Sequence, residues 1–133
     1  MPIETGLIGE LSIVVAEKDT ARASGGEQLP LVLSTPRLIS LIEQTAHKTI
    51  IPFLAIGQSS VGSIVNIRHL AATPVGMDVR IRVEVIKVDG RRINYKVEAW
   101  DAVDKIADGE HERFIIDTTR FDERLEKKRQ LIQ

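Results

Sequence analysis

The chain has 133 residues, enough for one domain with a real hydrophobic core, and its 43% hydrophobic and 28% charged residues exclude a disordered or fibrous protein. Lysine plus arginine number 18 against 19 acidic residues, a net charge of −1, so no basic field is available to hold nucleic acid through its phosphates. The absence of cysteine removes disulfides, thiolate metal sites and cysteine nucleophiles together. The longest apolar run, around 50–56, is broken by Pro52 and falls far short of the roughly 20 residues that span a bilayer. No basic segment followed by an apolar one opens the chain, so the sequence predicts a single domain over 1–133 without a signal peptide, in the cytoplasm, with no membrane partner.

Taken in chain order, Leu7 to Val15 is apolar and β-branched enough for a strand. Asp19 to Gln28, small and polar with Gly25-Gly26, reads as a mobile loop, and Pro30 to Leu33 as a short extended entry to a helix. Thr35 followed by Pro36 predicts an N-cap with proline in the first helical position, where its missing N–H costs nothing. Leu38, Ile39, Leu41, Ile42, Ala46 and Ile50 recur at three and four spacing over more than one stripe, which predicts a long, mostly buried helix ended by Pro52 and Gly57.

Strands follow up to about Asp117. Ser60 to His69 alternates, with Val61, Val65, Ile67 and His69 sharing a parity and so facing the helix. Thr73 to Gly76 predicts a type I turn. Val79, Ile81, Val83 and Val85 keep period two before the phase slips at Ile86, and Asp89-Gly90 marks a tight hairpin into Ile93, Tyr95, Val97 and Ala99. A bulge at Val85 and Ile86 reconciles the two apolar faces and predicts Val83 opposite Tyr95, with Arg80 across from Glu98. A last strand over 105–116 precedes a charged C-terminal surface helix within 119–133. The outline is α+β: an antiparallel sheet with one long helix to cover it, whose exposed edges favour a homodimer or a higher oligomer.

Few residues offer chemistry. His47, His69 and His111 lack the spacing of a zinc helix, and the Glu43/His47 pair at i and i+4 lacks an evident third ligand. Thr35 taken alone is a cap, and His69 taken alone is a core-facing imidazole. Glu43 is harder to dismiss, because a carboxylate among Ile39, Ile42 and Ala46 needs partners. A threonine, a glutamate and a histidine converging on one helix and one strand are the ingredients of acyl transfer. Arg68, Arg80, Arg82, Arg91 and Arg92 form a local basic set suited to solvated strand faces or to phosphate contacts.

Ser34-Thr35-Pro36, Glu43, the run from Gly57 to Gly62, the run from His69 to Met77, Asp89-Gly90-Arg91-Arg92 and the run from Gly109 to Arg113 together resemble the hot-dog thioesterases of the fluoroacetyl-CoA thioesterase type. The resemblance extends in order from about Leu29 into the C-terminal helix. It implies a hot-dog fold, with the sheet wrapped around the long helix, a homodimer, and hydrolysis of a short-chain acyl-CoA thioester. It also implies a catalytic trio of Thr35, Glu43 and His69, with Gly62 beside the acyl group and Arg113 in the site. Where the family carries aromatic lid residues, Asp19 to Gln28 has none and Leu29 is the nearest bulky side chain, so a general acyl-CoA thioesterase is implied more directly than a fluorinated substrate.

In this reading His69 is the general base, Glu43 orients it or attacks the acyl group, and Thr35 holds the nucleophile or serves as one. Coenzyme A is then part of the substrate, its phosphates near Arg68 and the other strand arginines, and no cofactor or metal is expected. Thr35 and Glu43 lie eight residues apart, about 12 Å along a helix, so either the chain bends after Thr35 or the two act on one substrate from different subunits, and a site at the dimer interface is favoured. The same scaffold also admits a non-catalytic acyl-CoA binder, or a dehydratase that releases no thiol.

Overall fold

The computed structural model describes residues 2–132. Five strands, β1 (Ile8–Val14), β2 (Gln58–His69), β3 (Asp78–Asp89), β4 (Arg92–Asp101) and β5 (Lys105–Asp117), form one antiparallel sheet in the order β1-β3-β4-β5-β2. Besides a one-turn α1 (Ala21–Gly25), the helices are α2 (Thr35–Ile50) and α3 (Thr118–Gln130). The α+β architecture with the long helix covering one sheet face is as the sequence predicts. Among the described residues no helix is long and apolar enough to cross a membrane.

The core lies between α2 and the sheet. Leu38, Leu41, Ile42, Ala46 and Ile50 form the stripe that packs on Val79, Ile81, Val83 and Val85 of β3 and Ile93, Tyr95, Val97 and Ala99 of β4. Each such aliphatic side chain contributes about 1.5–3 kcal/mol when fully buried. Tyr95, the largest of them, donates its hydroxyl to the Ala46 carbonyl at 3.0 Å, so its one polar atom is satisfied inside the core.

Four local expectations are corrected. The cap of α2 is Ser34, whose Oγ accepts from Arg37 N at 3.0 Å, so Thr35 and Pro36 sit in the first turn. The segment expected as a mobile loop, Asp19 to Gln28, begins at the last residue of a 3₁₀ turn (Glu17–Asp19) and contains α1. Asp19 is buried there and accepts from Ala16 N and Arg37 Nε, each at 2.8 Å. The turn before β3 spans 74–77, closed by Met77 N donating to Pro74 O, with Gly76 at φ 91°, a conformation that a residue with a Cβ adopts only under strain. The β3–β4 bulge falls at Ile86 as expected, but the turn residues are Gly90-Arg91, which moves the register by two. Val83 therefore faces Val97, Val85 faces Tyr95, and Arg82 instead of Arg80 lies opposite Glu98.

A second bulge in β2 reorders the face that matters most. The register slips between Gly62 and Ile64, so Ser63 is the extra residue. Val65, Ile67 and His69 face the helix as expected, while Val61 pairs with the outward-facing Phe114 and gives its place to Ser60 and Gly62. β2 is a sheet edge, and Ile64 and Val65 in its middle are about half exposed.

Candidate active site

Because Ser34 takes over the capping bond, the hydroxyl of Thr35 is left for another use. It lies 2.8 Å from Nδ1 of His69, which comes from the last residue of β2. The bond forms in either tautomer, with Thr35 donating to the bare ring nitrogen or accepting from a protonated one. Nε2 of His69 is buried with no hydrogen-bond partner. Burial holds the imidazole below the usual histidine value, and the Ala71 backbone opposes that shift to a smaller extent. A neutral imidazole with one nitrogen tied to a hydroxyl and the other uncommitted is equipped to move a proton. Both residues line a cleft together with Ala21, Leu33, Leu70 and Ala71.

A second cluster lies further along α2. Glu43 is half exposed, and its Oε1 is 3.8 Å from Nη1 of Arg113 in β5. Gly62 sits across from Arg113 in the β2–β5 register, and a Cβ added at Gly62 would collide with Glu43 Oε1. The backbone here is ordinary strand, so the glycine's effect is on space: a Cβ would displace the flexible Glu43 carboxylate from its place beside Arg113. Arg113 is buried, with Nε donating to Ser60 Oγ at 2.7 Å and Nη2 to the Ser60 carbonyl at 3.0 Å. His111 lies on the same face, two residues before Arg113. Its Nδ1 donates to the Ile64 carbonyl at 2.7 Å, leaving Nε2 to face Arg113 Nη1 at 3.4 Å, and its ring stacks on Tyr95.

The chain thus brings Thr35 to His69, and Glu43 to Gly62 and Arg113. The other two residues named from sequence are elsewhere. Arg68 makes a two-point ion pair with Asp108, through Nε and Nη2 at 2.8 Å each, on the outer face of the sheet. Leu29 is part exposed and packs against Gly25. Of the remaining strand arginines, Arg80 pairs with Glu10 and lies over the Trp100 ring, and Arg82 lies beside Glu84 and Glu98.

Sequence reasoning missed Ser60, and weighed His47 and His111 only as metal ligands. His47 Nδ1 lies 2.7 Å from Ser60 Oγ. A signal was present for His111: in the run Gly109 to Arg113, alternation alone puts 109, 111 and 113 on one face. For Ser60 the one signal was indirect: Gly62, an isolated glycine within a strand, stands directly before the bulge that turns Ser60 inward.

A model of the fluoroacetyl-CoA-specific thioesterase family matches residues 15–119. The chain belongs to that family. Its members are thioester hydrolases, and the sheet around a long helix is their hot-dog fold. The fluoroacetyl-CoA thioesterase of Streptantibioticus cattleyicolor is 35% identical over 101 residues, covering 76% of this chain and 73% of that one. A solved structure of the fluoroacetyl-CoA thioesterase FlK superposes with a TM-score of 0.90 at 30% identity, covering 96% and 98% of the two chains. A thioesterase superfamily member from Thermus thermophilus superposes with a TM-score of 0.88 at 31% identity, covering 99% and 98%.

Proposed function

We propose that the protein hydrolyses short-chain acyl-CoA thioesters to the free acid and coenzyme A at two equivalent sites of a homodimer, each built from both subunits. The observation that carries this reading is the separation of the chemistry into two half-sites along an unpaired edge strand. Thr35 with His69 stands at one end of β2, and Glu43 with Gly62 and Arg113 stands near the other. Seven strand residues span roughly 20 Å, so the halves do not meet within one chain. Antiparallel pairing of β2 with β2 of a second copy, about a two-fold axis at Asn66, sets Val65 opposite the partner's Ile67 and, across the bulge at Ser63, brings the partner's Gly62 opposite His69. Both positions lie on the helix face of the sheet. It also removes an edge that carries half-exposed Ile64 and Val65.

In such a site the thioester carbonyl lies by the N-terminus of α2, whose backbone dipole favours the negative charge that develops on oxygen. His69 takes a proton from water as it attacks the carbonyl carbon; the C–S bond breaks and the proton passes to the leaving thiolate, so coenzyme A departs as the thiol. Thr35 orients the imidazole through Nδ1. The partner's Glu43, beside its arginine, is placed either to orient the water or to attack the carbonyl itself, forming an anhydride that water then opens. Single turnover in ¹⁸O-water identifies an anhydride opened at the Glu43 carbonyl, since that route alone leaves ¹⁸O in the Glu43 carboxylate and sends a Glu43 oxygen into the acid, while attack of water on the acyl carbon puts the ¹⁸O in the acid. The chemistry draws on no metal or organic cofactor, so dialysis against a chelator leaves the rate unchanged. Support for an acyl-CoA substrate comes from the relatives: FlK variants were solved with acetyl-CoA and with fluoroacetate and CoA.

The decisive experiment is complementation, read as thiol release from a panel of acetyl-, propionyl-, butyryl- and fluoroacetyl-CoA. His69→Ala and Glu43→Ala are each expected to lose about 100-fold or more in kcat. When the two are mixed and allowed to exchange subunits, each heterodimer regains one intact site, and activity returns to about a quarter of the parent value. Failure to recover would place the trio within one chain. Saturable acyl-CoA binding with no thiol release by the parent protein would make it a binder instead.

A further inference from the structure

Ser60 and His47 have no part in the trio, yet they surround its buried cation. Arg113 carries three guanidinium nitrogens in a rigid planar fork. Ser60 alone accepts from two of them, Nε through its hydroxyl and Nη2 through its carbonyl. The third, Nη1, is left facing His111 Nε2 and Glu43 Oε1, and lies 3.5 Å from where a Cβ on Gly62 would be. Since the Ser60 oxygen accepts from Arg113, its own proton is free to go to His47 Nδ1 at 2.7 Å.

Satisfying a buried guanidinium needs acceptors, but it does not need the serine rotor itself to be held, and His47 holds it. An imidazole that accepts must be neutral there. Burial, and after it the Arg113 charge, hold His47 below the usual histidine value.

We propose that Ser60, oriented by His47, is a positioning residue that aims Arg113 Nη1 at the acyl site beside Glu43. The inference rests on the thioesterase reading for its kinetic consequence and on the hydrogen-bond geometry for its structural one, so the test reads both. In kinetics, Ser60→Ala and His47→Leu each lower kcat about 10- to 100-fold with KM changed less than about twofold, as expected of a misaimed group that acts in the transition state. The double variant is no slower than Ser60→Ala, because both break one chain of bonds. His47→Asn, which can present an oxygen where Nδ1 stood, recovers most of the His47→Leu loss.

In ¹⁵N-edited NMR the parent shows a slowly exchanging arginine Nε–H that is absent in Arg113→Lys. That signal exchanges rapidly in both Ser60→Ala and His47→Leu. Independent, multiplying rate losses overturn the proposal, as does an Nε–H that stays protected in Ser60→Ala. Should Ser60→Ala fail to fold, the comparison of His47→Leu with His47→Asn decides alone, and equal rates in the two overturn it. If the parent turns over no thioester, the functional reading fails and the Nε–H signal by itself decides the positioning role.

Discussion

In the proposed reaction His69 is the base, and its surroundings set the pH at which it would work. Burial disfavours the charged imidazolium and moves its pKa below the ordinary value of 6.5. Neutral base therefore persists into mildly acidic solution. A pH profile of kcat/KM is expected to rise with pH along a limb whose midpoint lies below 6.5, then to level off; a midpoint above that value would mean another group carries the limb. Gly62 makes a steric prediction at the same scale. Gly62→Ala drives a methyl into Glu43 Oε1. Its backbone is ordinary strand, so kcat should fall about tenfold or more while the thermal midpoint stays within a few degrees of the parent. Thr35 and Glu43 were recognisable from the sequence as residue types in a pattern. That Thr35 is free to bind His69 followed only from the cap one residue earlier, where serine, the better cap of the tandem pair, takes the position although Pro36 points to Thr35.

Among the elements, the segment ahead of α2 shows how one side chain turns an apparently loose stretch into structure. Asp19 reaches Ala16 N and Arg37 Nε, and so ties the 3₁₀ turn to the first turn of α2, next to Thr35. Desolvation pushes the Asp19 carboxyl upward, but the hydrogen bonds and the charge of Arg37 outweigh it and hold the pKa below 3.8. The stability that Asp19 supplies is therefore present above that pH and is lost as pH falls through the lowered folded-state value. Asp19→Asn is expected to reduce unfolding free energy at neutral pH by about 1.5–3 kcal/mol in urea titration, and to narrow the gap between variant and parent as the solution is acidified towards pH 3. An unchanged gap across that range would assign the loss to something other than the charge. A sequence reading could not find this tie, because Asp19 and Arg37 are eighteen positions apart and meet only after the chain has turned.

For the whole molecule the edge strand is the feature with the largest consequence. β2 presents Val65 half exposed in the middle of an unpaired edge, and the proposed two-fold axis lies beside it. Val65→Lys places a charge where the two copies would pair, and sedimentation should then show monomer where the parent shows dimer. Under the proposed shared site, thiol release should fall with dimer content. A monomer that hydrolyses acyl-CoA at the parent rate would refute the shared site.

The elements themselves were legible because apolar periodicity is a local property: the stripe from Leu38 to Ile50 and the alternation from Val79 to Val85 follow from 3.6- and 2-residue repeats whatever the rest of the chain does. So was the α+β class, since one helix and five strands leave few ways to bury their apolar faces. Register and facing were decided elsewhere. A bulge at Ser63 moves Ser60 and Gly62 inward and Val61 outward, and the hairpin at Gly90-Arg91 shifts every pair along β3 and β4; Gly90, at φ 60°, suits the first turn position, but Asp89-Gly90 is an equally good turn dipeptide read locally. Both result from matching whole apolar faces across neighbouring strands, a condition that exists only once the strands are side by side. The fork of Arg113 closes on Ser60, fifty-three positions away, for the same reason.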